Sequence, residues 1–266
     1  MASGEVEVGR GDAPGLEDGC ATVIDAARED ALFRGRLPLL QPTRGYRTNV
    51  DALWLAAFAR RDRVSRRCLD LGAGVGVVGL ALVVAGGAER ATLLDVDAPL
   101  LDLARRNAAA AGVDGRVETL AHDLACRLPD ALGHAFDLVV ANPPYGIVGE
   151  ARSSPHPRRA RARTGDASTL SLFARAARFS LGAAGRACFV FPAQDLSRLF
   201  DALAATGLVP KRMRVVHPLP DAPAKVALVE AKPARPGGLR VEPPFIAMSA
   251  PGVWTEEAAR ILDGDF

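Results

Sequence analysis

From Cys68 onward the chain alternates short apolar runs with longer mixed ones. The short runs are Cys68 to Leu71, Ala91 to Asp95, Arg116 to Leu120, Phe136 to Val140, Ala187 to Phe191, Arg212 to Val216 and Val226 to Ala231. Apolar runs of this length, bounded by glycine, proline or polar residues, predict buried strands. Between them Val77 to Ala85, Pro99 to Ala111, Ser168 to Leu181 and Leu196 to Thr206 have helical composition. Strand and helix in alternation predict an α/β fold: a doubly wound, seven-stranded Rossmann-like sheet, mostly parallel, with a late hairpin that brings in an antiparallel strand.

The flanks differ from this middle. Residues 1–27 are rich in Gly, Asp, Glu and Ala, with few large apolar groups to offset the entropy of ordering them, and read as a flexible leader. Residues 28–62 form an N-terminal extension ending in a helix from Ala52 to Arg60, which Asn49 or Asp51 is placed to cap. Residues 63–232 make up the sheet domain, and 233–266 a proline-rich C-terminal extension with a short helix from Thr255 to Leu262.

Composition narrows the setting. At 266 residues, 49% hydrophobic and 24% charged, the chain is long enough for one large domain with additions. It has no uninterrupted apolar stretch of about 18 residues and no basic-then-apolar start, so a cytoplasmic location and no membrane partner are expected. Cys20, Cys68, Cys126 and Cys188 lack the paired spacing of a zinc site or redox dithiol and read as reduced structural thiols. The four histidines, His156 and His217 among them, are scattered, so no metal is expected. A net charge of +2 does not argue for nucleic-acid binding, which rests instead on how the charge is distributed.

The first candidate site is a glycine loop. Asp70-Leu71-Gly72-Ala73-Gly74-Val75-Gly76 follows the first apolar run and opens a helix, where glycines let the backbone approach a nucleotide-like ligand at the helix N-terminus. Gly74, Gly76 and Gly79 also satisfy the dinucleotide fingerprint, and Asp95 ends the next strand at the distance of a ribose-binding carboxylate. Both S-adenosylmethionine and NAD use such a carboxylate, so an NAD-dependent oxidoreductase stands as the remote alternative. Asp70 and Gly72 upstream of the fingerprint favour the methyl donor. In His122-Asp123, Asp123 is placed to accept from an adenine amine or to cap a loop, and Asp97 reads as solvated surface.

The second candidate site is Asn142-Pro143-Pro144-Tyr145, directly after the apolar run Phe136 to Val140. Ligands of open α/β sheets sit at that end of a strand. An Asn amide offers an acceptor, Pro143 lacks an N–H, and the local carbonyls are therefore free to accept from a substrate amine, while Tyr145 supplies a face for stacking. This chemistry fits methyl transfer to a planar amine.

Together these motifs resemble the class I S-adenosylmethionine-dependent methyltransferases, and the tetrapeptide resembles the [DNS]-P-P-[FYW] motif of the amino-methylating branch. Leu39-Leu40-Gln41-Pro42, Gly45-Tyr46-Arg47-Thr48-Asn49-Val50-Asp51-Ala52 and Val216-His217-Pro218 are similar to the bacterial tRNA (valine) adenine-N6-methyltransferases, which act on an anticodon-loop adenosine. The resemblance spans roughly residues 32–264. It implies that Gly72, Gly74 and Gly76 line the methionine and ribose part of S-adenosylmethionine, with Asp70 in the same loop, Asp95 on the ribose, Asp123 on the adenine amine and Asp51 closing the pocket. It further implies that the Asn142 side-chain carbonyl and the Pro143 backbone carbonyl accept from the target amine, that Pro144 completes the motif, and that Tyr145 stacks on the target base.

After the tetrapeptide, Ala151 to Arg163 holds five arginines (Arg152, Arg158, Arg159, Arg161 and Arg163) and no acidic residue. Arginine suits phosphate, and phosphate contacts dominate RNA affinity without carrying sequence information. The run is expected to contact tRNA, with Lys211, Arg212 and Arg214 read either as an extension of that surface or as a solvated strand edge. The same tetrapeptide serves methylation of release-factor glutamine and of rRNA or DNA adenine, which are the alternative acceptors. The oligomeric state is not legible in the sequence.

Overall fold

The structure is a computed structural model that describes residues 27–43, 50–144, 167–234 and 236–266. Tyr145 and the arginine-rich run fall outside the described residues, as do most of the leader and Asn49.

The seven expected strands are all present: β3 (Ser65–Leu71), β4 (Ala88–Asp95), β5 (Val117–Ala121), β6 (Phe136–Ala141), β7 (Leu181–Pro192), β8 (Leu208–His217) and β9 (Val226–Pro233). They lie in the order β5-β4-β3-β6-β7-β9-β8, with β9 antiparallel to both of its neighbours and the remaining pairs parallel. The chain thus winds outward from β3 through β4 to β5, then returns to the other side of β3 with β6. That reversal between β3 and β6 is where an open α/β sheet opens a crevice at the carboxyl ends of its strands.

Helices cover both faces. Helices α1 (Asp51–Ala59), α2 (Val77–Val84) and α3 (Ala98–Ala110) pack with Cys68, Leu138, Val140, Cys188 and Leu228 into one apolar layer. Helices α4 (Ala167–Ser180) and α5 (Leu196–Ala205) pack with Leu69, Leu71, Val139, Phe189 and Val229 into the other. The division follows strand alternation, since successive side chains leave opposite faces. Helix α1 is apolar nearly all round and buried at eight of its nine positions, as befits a helix covered on several sides. Its N-cap position is Val50, with no side-chain cap hydrogen bond; Asp51 is instead the first helical residue and is buried.

Several elements lie outside the sequence expectation. An antiparallel hairpin, β1 (Ala27–Leu32) and β2 (Leu37–Pro42), precedes α1, and its register runs from Ala27 opposite Pro42 to Leu32 opposite Leu37. Four two- or three-residue strands follow β9: β10 (Arg240–Val241), β11 (Phe245–Ile246), β12 (Met248–Ala250) and β13 (Val253–Trp254). Beyond them lies α6 (Glu256–Leu262), whose Thr255 side chain caps Ala258 N–H. Phe245 of β11 meets Trp54 of α1 edge to face, with ring centroids 4.8 Å apart. The C-terminal segment therefore closes over α1, and Arg34 and Arg36 tie it to the hairpin through Asp263.

Arg212 and Arg214 fit neither of the roles expected of them. Arg212 is buried, donates to the Phe58 carbonyl at 2.6 Å, pairs with Glu230 at 3.2 Å and stacks on the Phe58 ring. Arg214 pairs with Glu257 through both nitrogens, and Lys211 bonds the Pro236 and Gly237 carbonyls. Burial of β8 beneath the C-terminal segment commits Arg212 and Arg214 to internal partners, whereas Lys211 makes its bonds at the surface. Cys68 and Cys188 are buried, Cys126 is exposed, and burial pushes the Cys188 thiol up to about 12 and Cys68 well above its ordinary value.

Candidate active site

Leu71, the last residue of β3, pairs with Ala141, the last residue of β6. This register brings Gly72 and Asn142, the residues that follow, out of the sheet side by side at the point where the winding reverses. The glycine loop and the start of the tetrapeptide, 70 residues apart in the chain, thus share one crevice.

The loop's shape needs its glycines. Gly72, Gly74 and Gly76 have φ of +67°, +55° and +88°, a region that residues with a Cβ rarely occupy. They differ in what surrounds them. A Cβ on Gly76 would sit 2.8 Å from Leu93 Cδ1, and one on Gly72 would sit 3.0 Å from the Phe173 ring, so these two are glycines for packing as well. Among the described residues a Cβ on Gly74 would meet nothing within 4 Å, so they leave the loop open there.

Two carboxylates hold the loop from different sides. Asp70 is fully buried and its Oδ2 accepts the Gly79 N–H of α2 at 2.8 Å. Burial raises the Asp70 carboxyl to about 7 despite that bond, with the Asp95 charge adding to the rise. Asp95, at the end of β4, accepts Gly74 N–H on Oδ2 at 2.7 Å and Asp97 N–H on Oδ1 at 2.9 Å. Burial raises its pKa too, against the opposing pull of these bonds. Each carboxylate oxygen has a second lone-pair direction, so Asp95 retains acceptor capacity toward a ligand.

The rim continues along the strand ends. His122 N–H donates to the Asp95 carbonyl at 2.9 Å, tying the end of β5 to that of β4. Asp123 follows, exposed, with Oδ1 accepting Ala125 N–H at 2.8 Å. Asp97, expected as solvated surface, is half-buried because its N–H folds back onto Asp95, and its Oδ1 is buried without a hydrogen-bond partner among the described residues. Asn142 is half-buried, Pro143 buried and Pro144 half-buried. Among the described residues no group of three or more His, Cys, Asp or Glu is arranged to hold a metal, and no helix is long and apolar enough to cross a membrane.

Two contributors were missed in the sequence. Asn107, fully buried in α3, accepts Leu40 N–H at 2.7 Å and donates to the Leu40 and Val75 carbonyls, so one amide fixes both the hairpin and the glycine loop. Its signal was a lone amide on the buried side of an alanine-rich helix. Val96 is 68% exposed directly after Asp95, an apolar side chain standing at the rim.

Sheet order, glycine loop and rim carboxylate define a methyltransferase fold and site that suit S-adenosylmethionine. The Methyltransferase small domain family matches residues 50–154. A tRNA1(Val) (adenine(37)-N6)-methyltransferase of Parabacteroides distasonis is 31% identical over 188 residues, covering 69% of this chain and 76% of that one. One of Porphyromonas gingivalis is 32% identical over 196 residues, covering 71% and 75%. A solved structure of a predicted O-methyltransferase from Agrobacterium tumefaciens superposes with a TM-score of 0.65 at 23% identity, covering 80% of this chain and 96% of that one, which speaks to the fold. The chain belongs to the tRNA1(Val) (adenine(37)-N6)-methyltransferase family.

Proposed function

We propose that the protein methylates the N6 amine of an adenosine in the anticodon-loop region of a tRNA, with S-adenosylmethionine as donor. The observation that carries this is the pairing of Leu71 with Ala141, which sets the glycine loop beside Asn142 and Pro143. Relatives that share most of this chain bear the name of that activity.

The residues present suit the cofactor. Gly72, Gly74 and Gly76 give it backbone to lie against, Gly74 with open space above it. Asp95 accepts from ribose hydroxyls with its remaining lone pairs. The exposed Val96 offers an apolar face to the adenine, and Asp123 accepts from the adenine amine. Asp70 acts from behind, holding the loop to α2 through Gly79, and Asp51 closes the pocket from the start of α1. When bound, the cofactor supplies an electrophilic methyl group on a sulfonium.

The chain's own work is to make the target amine reactive and to aim it. The N6 lone pair of adenine is delocalised into its ring and attacks poorly. The Asn142 side-chain carbonyl and the Pro143 backbone carbonyl accept from its two N–H groups and draw the nitrogen toward tetrahedral geometry, which frees the lone pair. Pro144 stiffens the turn, and Tyr145 stacks on the target base once it has left the RNA stack. No strong base is required, because the methylated amine is acidic until it loses its proton. Alignment at contact distance supplies up to ~7–11 kcal/mol of the barrier reduction. Arg152, Arg158, Arg159, Arg161 and Arg163 contact the phosphates around the loop.

The test is methyl transfer from labelled cofactor to unmodified tRNA with nucleoside analysis of the product. Label in N6-methyladenosine supports the reading. Label in release-factor glutamine, or in rRNA or DNA adenine alone, moves the function to that acceptor.

A further inference from the structure

A second cationic surface lies at the opposite end of the sheet from the active site. Arg60, Arg61 and Arg63 on the segment joining α1 to β3, and Arg66 and Arg67 at the start of β3, fall within eight residues, all exposed, with Asp62 the only acid among them. The whole chain has 33 Lys and Arg against 31 Asp and Glu, so this stretch departs from the balance of the rest. Solubility alone is served by mixed signs; a field of one sign attracts a charged partner.

The segment has a fixed backbone and uncommitted heads. Arg60 N–H bonds the Ala56 carbonyl, Ser65 N–H bonds the Gly87 carbonyl, and Asp137 accepts the N–H groups of both Arg66 and Arg67 at 2.9 Å. The guanidiniums divide into two groups. Arg61 pairs with Glu230 and Arg67 lies over the Phe136 ring. Arg60, Arg63 and Arg66 make no ion pair among the described residues. The nearby carboxylates do not cancel them: Asp137 is held by the backbone, and Glu230 is shared by Arg61, Arg186, Arg212 and Lys232. Asp62, between Arg61 and Arg63, and Glu89, the second residue of β4, are further acids at this end of the sheet.

We infer that Arg60, Arg63 and Arg66 form a second docking surface for the RNA substrate, binding phosphates of paired regions away from the methylated nucleotide. This rests on the proposed tRNA reading. The seven residues of β3 separate this surface from the glycine loop by roughly 20 Å at about 3.3 Å per residue. A turn of nucleic-acid duplex is on the order of 30 Å long, so a folded RNA whose loop enters the carboxyl end of the sheet can also reach the amino end. A minimal anticodon hairpin holds only part of the paired region and offers this surface fewer phosphates. The surface therefore acts most on whole tRNA and reads shape and charge rather than sequence.

The experiment compares the unaltered protein with a triple Arg60→Ser, Arg63→Ser, Arg66→Ser variant and with the matching Arg→Lys triple. It measures KM and kcat on whole unmodified tRNA and on a minimal anticodon hairpin across a salt series, with cofactor affinity and thermal unfolding as checks on the fold. The expected result for the serine variant is a severalfold rise in KM for whole tRNA, unchanged kcat, and a shallower log–log salt slope by about 2 to 3. The hairpin KM rises less than the whole-tRNA KM, cofactor affinity stays unchanged, and the lysine variant, which keeps the point charges, behaves like the parent. Equal KM and salt slope for whole tRNA in parent and serine variant would overturn the inference while leaving the tRNA reading intact. An equal loss on hairpin and whole tRNA would also overturn it, because the effect would then lie in the active site. A parent that binds cofactor but labels no tRNA would bring down the tRNA reading itself.

Discussion

Asp95 accepts the Gly74 backbone N–H through Oδ2 at 2.7 Å, so the carboxylate at the end of β4 holds the glycine loop at the loop glycine that the described residues leave uncovered. The same side chain thus shapes the loop and keeps lone pairs for a ribose. Asp95→Ala is expected to weaken S-adenosylmethionine binding by about 1.5–3 kcal/mol, the range for hydrogen bonds to a charged group. Titration calorimetry reads this directly. A dissociation constant within twofold of the parent's would show that the carboxylate serves the loop alone.

Asp70 gives a pH dependence of opposite sense to the usual carboxylate. Its carboxyl rises from 3.8 to about 7 in the folded chain because burial penalises the charge. The folded state therefore holds a proton that the unfolded chain has released, and the stability from this group is full below the unfolded value and lost as pH climbs through about 7. Asp70→Asn retains an acceptor for Gly79 N–H and does not titrate. The melting temperature of the parent should fall more steeply than that of the variant between about pH 4 and about pH 7 and run parallel to it above. Parallel curves in differential scanning calorimetry would contradict the assignment.

Glu230 works the other way. Burial pushes its carboxyl up, but the Arg61 hydrogen bond and the charges of Arg212, Arg61 and Lys232 outweigh that and hold it below its ordinary value. Its contribution is present above the unfolded pKa and lost as pH falls through the lower folded one. Glu230→Gln leaves Arg212 and Arg186 beneath α1 without their shared anion. The expected cost is about 3–5 kcal/mol, as for a broken buried ion pair. Urea unfolding at neutral pH measures it, and a loss under about 1 kcal/mol would show that the remaining partners, the Phe58 and Ala59 carbonyls, Glu242 and Ser65, suffice for these arginines.

Gly79 tests the packing behind the loop. A Cβ there would lie 2.4 Å from Leu93 Cδ2 and 3.3 Å from Asp70 Oδ2, and Leu93 is fully buried. Alanine gains about 1 kcal/mol over glycine in a helix, but overpacking at this distance costs about 1–3 kcal/mol. Gly79→Ala should be net destabilising in chemical unfolding and should be partly rescued when combined with Leu93→Ala. Additive losses would place the strain elsewhere.

The sheet was legible because its strands are buried on both faces: runs such as Phe136 to Val140 carry enough uninterrupted apolar character to be recognised without their partners. The hairpin β1/β2 was not, because Pro38 and Pro42 interrupt a strand only six residues long whose inward positions include Leu37 and Leu39. Of the short strands after β9, β10 and β11 are set by pairing with β8, as Phe245 with Val216, and β12 and β13 by pairing with each other, and two or three residues leave no periodicity to read. At the site, the glycine loop was recognisable from spacing and Asp95 from its place at a strand end. The role of Asn107 was not, because it depends on Leu40 and Val75 being brought to the same amide by folding. Arg212 and Arg214 looked like surface because the C-terminal segment that buries them follows later in the chain.

The most direct measurement is transfer of a labelled methyl group from S-adenosylmethionine to unmodified tRNA by the parent and by Asn142→Ala, with cofactor affinity measured for both. The account predicts label in N6-methyladenosine for the parent, a fall in kcat on the order of 10²-fold for the variant, as when one preorganised hydrogen-bonding group is removed from a reacting centre, and cofactor affinity that stays within about twofold because Asn142 is assigned to the target amine. Normal turnover by Asn142→Ala, or a parent that binds the cofactor and leaves tRNA unlabelled, would contradict it.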